Sequence, residues 1–122
     1  MALMPTESAQ ARVEFTPEFK RNLRALSKKY RHIRSDVQPA IERLQAGEFF
    51  GDRISGTQHV VFKARVKNSD IRKGKSAGYR LIYQVKASKS VVLVTIYSKL
   101  DQGDISAHWI RRILAEFDEL GG

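Results

Sequence analysis

The chain has 122 residues, 42% of them hydrophobic, and carries 22 lysines and arginines against 13 aspartates and glutamates, a net charge of +9. That length and composition suit one compact domain with a core of its own, and the complete lack of cysteine excludes both a disulfide framework and a thiolate zinc site. No apolar run long enough for a signal peptide or membrane span is present, so a cytoplasmic protein without a membrane partner is expected, and the excess of positive charge turns attention to polyanions.

Residues 1–12, with Pro5, Thr6, Glu7, Ser8 and Gln10, read as a flexible N-terminal leader, and residues 13–122 as a single folded domain. Val13-Glu14-Phe15-Thr16 alternates apolar and polar residues as a half-buried strand does. Thr16-Pro17-Glu18 then opens a helix: Thr16 can cap, Pro17 suits the first helical position, and Glu18 complements the positive end of the helix dipole. Phe19, Leu23, Leu26 and Tyr30 follow at helical spacing as one apolar stripe, while Lys20, Arg21, Arg24, Lys28 and Lys29 are read as solvated surface.

A second helix is expected from Ser35 to Ala46, with Val37, Ile41 and Leu44 on its stripe and Gly47 as the stop. Glu48 to His59, holding Gly51, Gly56, Phe49 and Phe50, reads as a loop that packs back onto the core. Three strands should follow: Val60–Val66, Gly78–Val85 and Val91–Tyr97, the last two joined by a tight connection at residues 86–90. Residues 68–77 form a long basic excursion containing Gly74. A final helix over Ile105–Leu120 presents Trp109, Ile113 and Phe117, with Ile110 and Leu114 widening the stripe, so Trp109 is expected in the core.

The order strand, helix, helix, three strands, helix describes an α+β fold with helices packed on one face of a largely antiparallel sheet, leaving the other face free. Charge patterning says what that face would carry. Between Lys63 and Arg80 the chain has Lys63, Arg65, Lys67, Arg72, Lys73, Lys75 and Arg80 against a single acid, Asp70. On the first of the three strands Lys63, Arg65 and Lys67 alternate with Phe62, Ala64 and Val66, so period two puts the cations on one side and the apolar residues on the other. Arg80, on the next strand, should join them if the pair is antiparallel, with Tyr79, Leu81 and Tyr83 in the opposite register. Such a surface fits phosphate, and a nucleic acid is the ligand class it favours. The histidines, His32, His59 and His108, are scattered without ligand spacing, so neither a metal site nor a cofactor is expected.

Four segments together carry a family resemblance: Phe62-Lys63-Ala64-Arg65-Val66, Lys73-Gly74-Lys75-Ser76-Ala77-Gly78, Tyr79-Arg80-Leu81-Ile82-Tyr83, and Leu93 through Lys99. With Gly51-Asp52-Arg53-Ile54-Ser55-Gly56-Thr57, the chain from Val13 onward resembles the RelE/ParE superfamily of toxin-antitoxin toxins, most nearly its RelE/HigB-like branch. The resemblance implies a microbial-RNase-like fold, β-α-α-β-β-β-α, and a metal-independent endoribonuclease that cleaves messenger RNA on the translating ribosome by attack of a ribose 2′-hydroxyl on the adjacent phosphate. It further implies a cognate antitoxin, operator DNA reached through that antitoxin, and an active surface at Lys63, Arg65 and Arg80.

Tyr97 and Lys99 complete the candidate catalytic set, with Lys67, Arg72, Lys73 and Lys75 as RNA-binding residues. Arg80 is the preferred phosphate clamp because its planar fork takes two oxygens at once, and its removal is expected to take away most activity with little loss of stability. The chain departs from the RelE pattern where Leu100 and Ser106 stand in place of an arginine and a tyrosine; besides Tyr97 and Lys99, Asp101 and His108 are nearby substitutes for proton transfer. The same superfamily also includes ParE-like gyrase poisons that cleave nothing, and a basic fold of this kind can also serve as a non-toxic nucleic-acid-binding module.

Overall fold

The computed structural model describes residues 10–71 and 77–121. Its order is β1 (Arg12–Phe15), α1 (Pro17–Ser27), α2 (Ile33–Gln45), β2 (Asp52–Ile54), β3 (Val61–Val66), β4 (Tyr79–Ala87), β5 (Ser90–Ser98) and α3 (Ala107–Glu119). The α+β expectation holds, with one element more than the sequence suggested. Residues 52–54, assigned to a loop, form a short strand antiparallel to the start of β3. The five strands run in the order β1-β5-β4-β3-β2; the β1–β5 pair is parallel and the others are antiparallel.

The start of α1 behaves as its sequence dictates. The Thr16 hydroxyl accepts the Phe19 N–H at 2.9 Å and donates to the Val94 carbonyl at 2.6 Å, so one buried side chain caps the helix and ties it to β5. Phe19 is buried beneath it. The N-terminus of α2 is held differently: the His32 N–H donates to Asp70 Oδ2 at 3.0 Å, so the cap comes from the loop after β3 rather than from the helix's own flank.

Both faces of the sheet are covered, which corrects the expectation of helices on one face only. Phe19, Tyr30, Ile33, Val37 and Leu44 of α1, α2 and their connection pack on one side against Ala64, Val66, Tyr79, Leu81, Tyr83, Leu93 and Ile96. On the other side Ile110, Ile113, Leu114 and Phe117 of α3 cover Val61, Ile82, Val92 and Val94. Strands β4 and β5 are thereby buried on both faces along most of their length.

Trp109 does not belong to this second layer. It is 42% exposed, with the Arg112 guanidinium 5.4 Å from its ring, and the buried stripe of α3 starts at Ile110. Five apolar residues at 109, 110, 113, 114 and 117 span more of the helix than one face can bury, and the pair at 110 and 114 takes the inner position.

Gly78 sets the start of β4. A Cβ there would collide with the Val66 carbonyl, so only glycine allows β4 to approach the end of β3 this closely. Its own carbonyl accepts the Lys99 N–H at 2.9 Å, which fixes the end of β5 as well.

Trading Ile110 for alanine should therefore cost about 2–5 kcal/mol of stability in guanidinium unfolding, and Trp109→Ala about 1 kcal/mol or less, the scale of a surface cation–π contact. Similar losses for the two would show that α3 docks by its Trp109 side instead.

Candidate nucleic-acid interface

The register of the central strands assembles the site. Arg65 on β3 lies opposite Arg80 on β4, and Arg80 lies opposite Tyr97 on β5, so these three form one row across the sheet on the side that α3 occupies. Lys63, two residues before Arg65, shares that side, and Lys99 follows directly on β5. Helix α3 covers the part of the face built from Val61, Ile82, Val92, Val94 and the ring of Tyr97. The remainder is the basic surface, and with Arg80 beneath it and Tyr97 at its border all five candidate catalytic residues lie in one neighbourhood.

The depth of these side chains differs from the expectation. Arg80 is not on an exposed face: it is 5% exposed and donates from Nη1 to the Tyr79 carbonyl at 3.4 Å. Its charge acts from beneath the surface, and replacing it by alanine would disturb a buried polar group as well as the site. Arg65 and Lys67 are exposed and reach the surface, while Lys63 and Lys99 are half-buried. Tyr97 is buried among the apolar residues under α3, with only its hydroxyl directed to the basic patch.

The residue that sequence reasoning missed is Asp104. Its Oδ1 accepts from Lys63 Nζ at 3.2 Å, from the Tyr97 hydroxyl at 3.2 Å and from Lys99 Nζ at 3.5 Å. It stands in the irregular stretch between β5 and α3, where no periodicity marks it. The hydrogen bond and charge of Lys63 pull its carboxyl below the usual aspartate range, desolvation opposes them, and Lys99 and Tyr97 add lesser pulls in the same direction as Lys63. Burial, reinforced by the Asp104 charge, pushes the Tyr97 hydroxyl up to about 12 even with Arg80 opposing. At neutral pH Tyr97 is therefore a proton donor and not a base.

The two positions where the family pattern fails have plain local roles. Ser106 is the N-cap of α3, its hydroxyl accepting the Trp109 N–H at 3.1 Å, and Leu100 lies exposed in the turn after β5. Asp101, one of the substitutes considered for proton transfer, is instead paired with Lys29 at 2.6 Å. His108 is exposed on the first turn of α3 and shares a concavity of about 390 Å³ with His59, Arg111 and Asp118, on the flank of α3 that meets the loop before β3. His32 pairs with Asp70 at 2.6 Å. Among the described residues no cluster of three or more histidines, aspartates or glutamates could hold a metal ion.

Lys67 and Arg65 line a shallow groove of about 290 Å³ that continues to Phe50, Pro39 and Ala40 along α2. Arg72, Lys73 and Lys75, the other RNA-binding candidates, lie outside the described residues. The segment leading to them is tied down: Ser69 donates its N–H and hydroxyl to Asp36 at 2.9 and 3.0 Å, and Asp70 holds the start of α2. The basic face of α1 is solvated surface, as expected, with Arg21 paired to Glu18 at 2.6 Å.

A carboxyl whose folded pKa is depressed contributes stability that is present above its unfolded value, near 3.8, and is lost as pH falls through the folded value. Asp104→Asn should thus flatten the acid side of the stability profile, read by urea unfolding between pH 2 and 5. A profile that matched the wild type would show that the contacts of Asp104 do not form in solution. No protein-family model matches the chain and no curated protein matches it.

Proposed function

We propose that the chain is the toxin of a type II toxin-antitoxin pair, of the RelE/HigB-like kind, which cleaves messenger RNA on the translating ribosome. The observation that carries this reading is the cross-strand row of Arg65, Arg80 and Tyr97 with Lys63 and Lys99 beside it, running from the buried margin under α3 out to solvent at Arg65. In the reaction a ribose 2′-hydroxyl gives its proton to water and attacks the adjacent phosphate, the bond to the 5′-oxygen breaks, and that oxygen leaves with a proton from Tyr97, which solvent then restores. A 2′,3′-cyclic phosphate and a 5′-hydroxyl result, without metal or cofactor.

Negative charge grows on the phosphorane at mid-reaction, and fixed cations stabilise it most where water is partly excluded. Lys63 and Arg65 meet it at the surface, while Arg80 adds its charge from below. Tyr97, protonated up to a pH of about 12, is placed to donate to the departing 5′-oxygen. The face is shallow, and a surface this open orients a mobile RNA poorly. That favours a message already held in place by the ribosome, because catalysis gains most from a reactant whose geometry is fixed.

A toxin needs a partner to restrain it. The chain's net charge of +9 is complementary to an acidic antitoxin, which would meet it quickly and reach operator DNA through its own domain. The cytoplasm, where message, ribosome and antitoxin meet, is the compartment this reading requires.

The test is a pulse of induced expression followed by primer extension on a defined message, with and without ribosomes. Cuts should appear only with translating ribosomes and fall by on the order of 10²-fold in Lys63→Ala or Arg65→Ala, the cost of removing one donor to developing charge. Arg65 is exposed and Lys63 half-buried, and a matching thermal melt confirms the fold of both variants. Growth arrest with intact message would overturn the nuclease in favour of a ParE-like gyrase poison. Unimpaired growth would leave a nucleic-acid-binding module.

A further inference from the structure

Three hydrogen-bond donors, two of them ammonium groups, converge on one carboxylate oxygen. Lys63 comes from β3, Tyr97 from β5 and Lys99 from the residue after it, all meeting Asp104 Oδ1 within 3.5 Å. A non-bridging oxygen of a phosphodiester seeks the same company: a single negative charge, ammonium groups at about 2.7–3.2 Å and a hydroxyl donor.

The two sides of this contact are not equally fixed. Lys63 lies within the sheet, Tyr97 is buried, and the Lys99 backbone is tied to Gly78. Asp104 is attached to the irregular stretch before α3, its side chain is 58% exposed, and it follows Gly103, around whose Cβ position there is open space. The donors are thus preorganised and the acceptor is able to leave.

We infer that Lys63, Tyr97 and Lys99 form a subsite for a backbone phosphodiester of single-stranded RNA, and that Asp104 occupies it as an internal stand-in when no RNA is bound. The carboxylate spaces two lysines that would otherwise repel each other, and it must turn outward before a phosphate enters. Affinity for RNA is then reduced by the fraction of molecules in which Asp104 is seated. The inference deepens the proposed function and rests on it only in taking the RNA to be messenger.

The experiment measures binding of a fluorescent 2′-O-methyl oligouridylate, which lacks the attacking hydroxyl, to the wild type and to Asp104→Asn between 50 and 200 mM salt. Asparagine keeps the shape and removes the charge. The variant should bind about tenfold tighter at 100 mM salt, the effect of deleting one charge some 4 Å from a phosphate at partial exposure, and the slope of log affinity against log salt should steepen by about 0.7 for one added contact. Adding Lys63→Ala should cancel the gain. Unchanged or weaker binding by Asp104→Asn would overturn the inference. Tighter binding with no ribosome-dependent cleavage by either protein would uphold the subsite and fail the nuclease. A variant that binds as the wild type does but cleaves slowly, with the acid limb of its pH profile lost, would make Asp104 the proton acceptor and overturn the stand-in.

Discussion

Registry between β3, β4 and β5 is the constraint on which the rest depends. Because side chains alternate across a strand, a slip of one residue in β4 would send Arg80 into the layer under α1 and α2 and turn Leu81 toward the basic face. Burial on both sides makes that slip expensive, since Tyr79, Leu81 and Tyr83 would trade places with Arg80, Ile82 and Gln84. The hydrophobic layers therefore do more than hold the sheet together. They determine which three residues stand in the row from Arg65 to Tyr97.

The site is placed at a boundary between dry and wet surroundings. On one side of it α3 seals Val61, Ile82, Val92 and Val94; on the other, Arg65 and Lys67 meet solvent. Tyr97 straddles the line, its ring in the apolar cluster under α3 and its hydroxyl meeting Lys63 and Lys99 at Asp104. Like charges opposite one another on adjacent strands are destabilising, and Arg65 against Arg80 is such a pair. Asp104 eases the crowding of Lys63 and Lys99, which is one reason a carboxylate belongs in a patch otherwise suited to anions.

Much of this was legible in the sequence where one physical signal was strong. Thr16-Pro17 announced α1, and the alternation of Phe62, Ala64 and Val66 with Lys63 and Arg65 marked the two sides of β3. Strand periodicity and antiparallel pairing suffice to put Lys63, Arg65 and Arg80 on one side of the sheet, whereas Tyr97 and Lys99 were singled out by the family resemblance. Other features had no such signal. Asp52–Ile54 is three residues long and mostly polar, so its pairing depends on the neighbouring β3 rather than on its own pattern. An apolar stripe shows that α3 packs, but not on which face of the sheet, and it does not decide between Trp109 and Ile110 as the inner residue. Arg80 has the right side but not the depth, which comes from strands and a helix distant in sequence. Asp104 sits in irregular backbone, where its meaning is given entirely by what folds around it.

The parallel pair at the edge of the sheet sets an order of assembly. Arg12 lies beside Ser90 and Phe15 beside Leu93, so β1 finds its partner only across nearly eighty intervening residues, whereas β3, β4 and β5 close through neighbouring connections. In a chain that leaves the ribosome from its N-terminus, β1 and the Thr16 tether to Val94 wait unpaired until β5 has emerged. Tyr97, Lys99 and Asp104 come later still. The basic row is incomplete throughout most of its own synthesis, and a nascent chain of this protein cannot assemble it until its last third is free to fold.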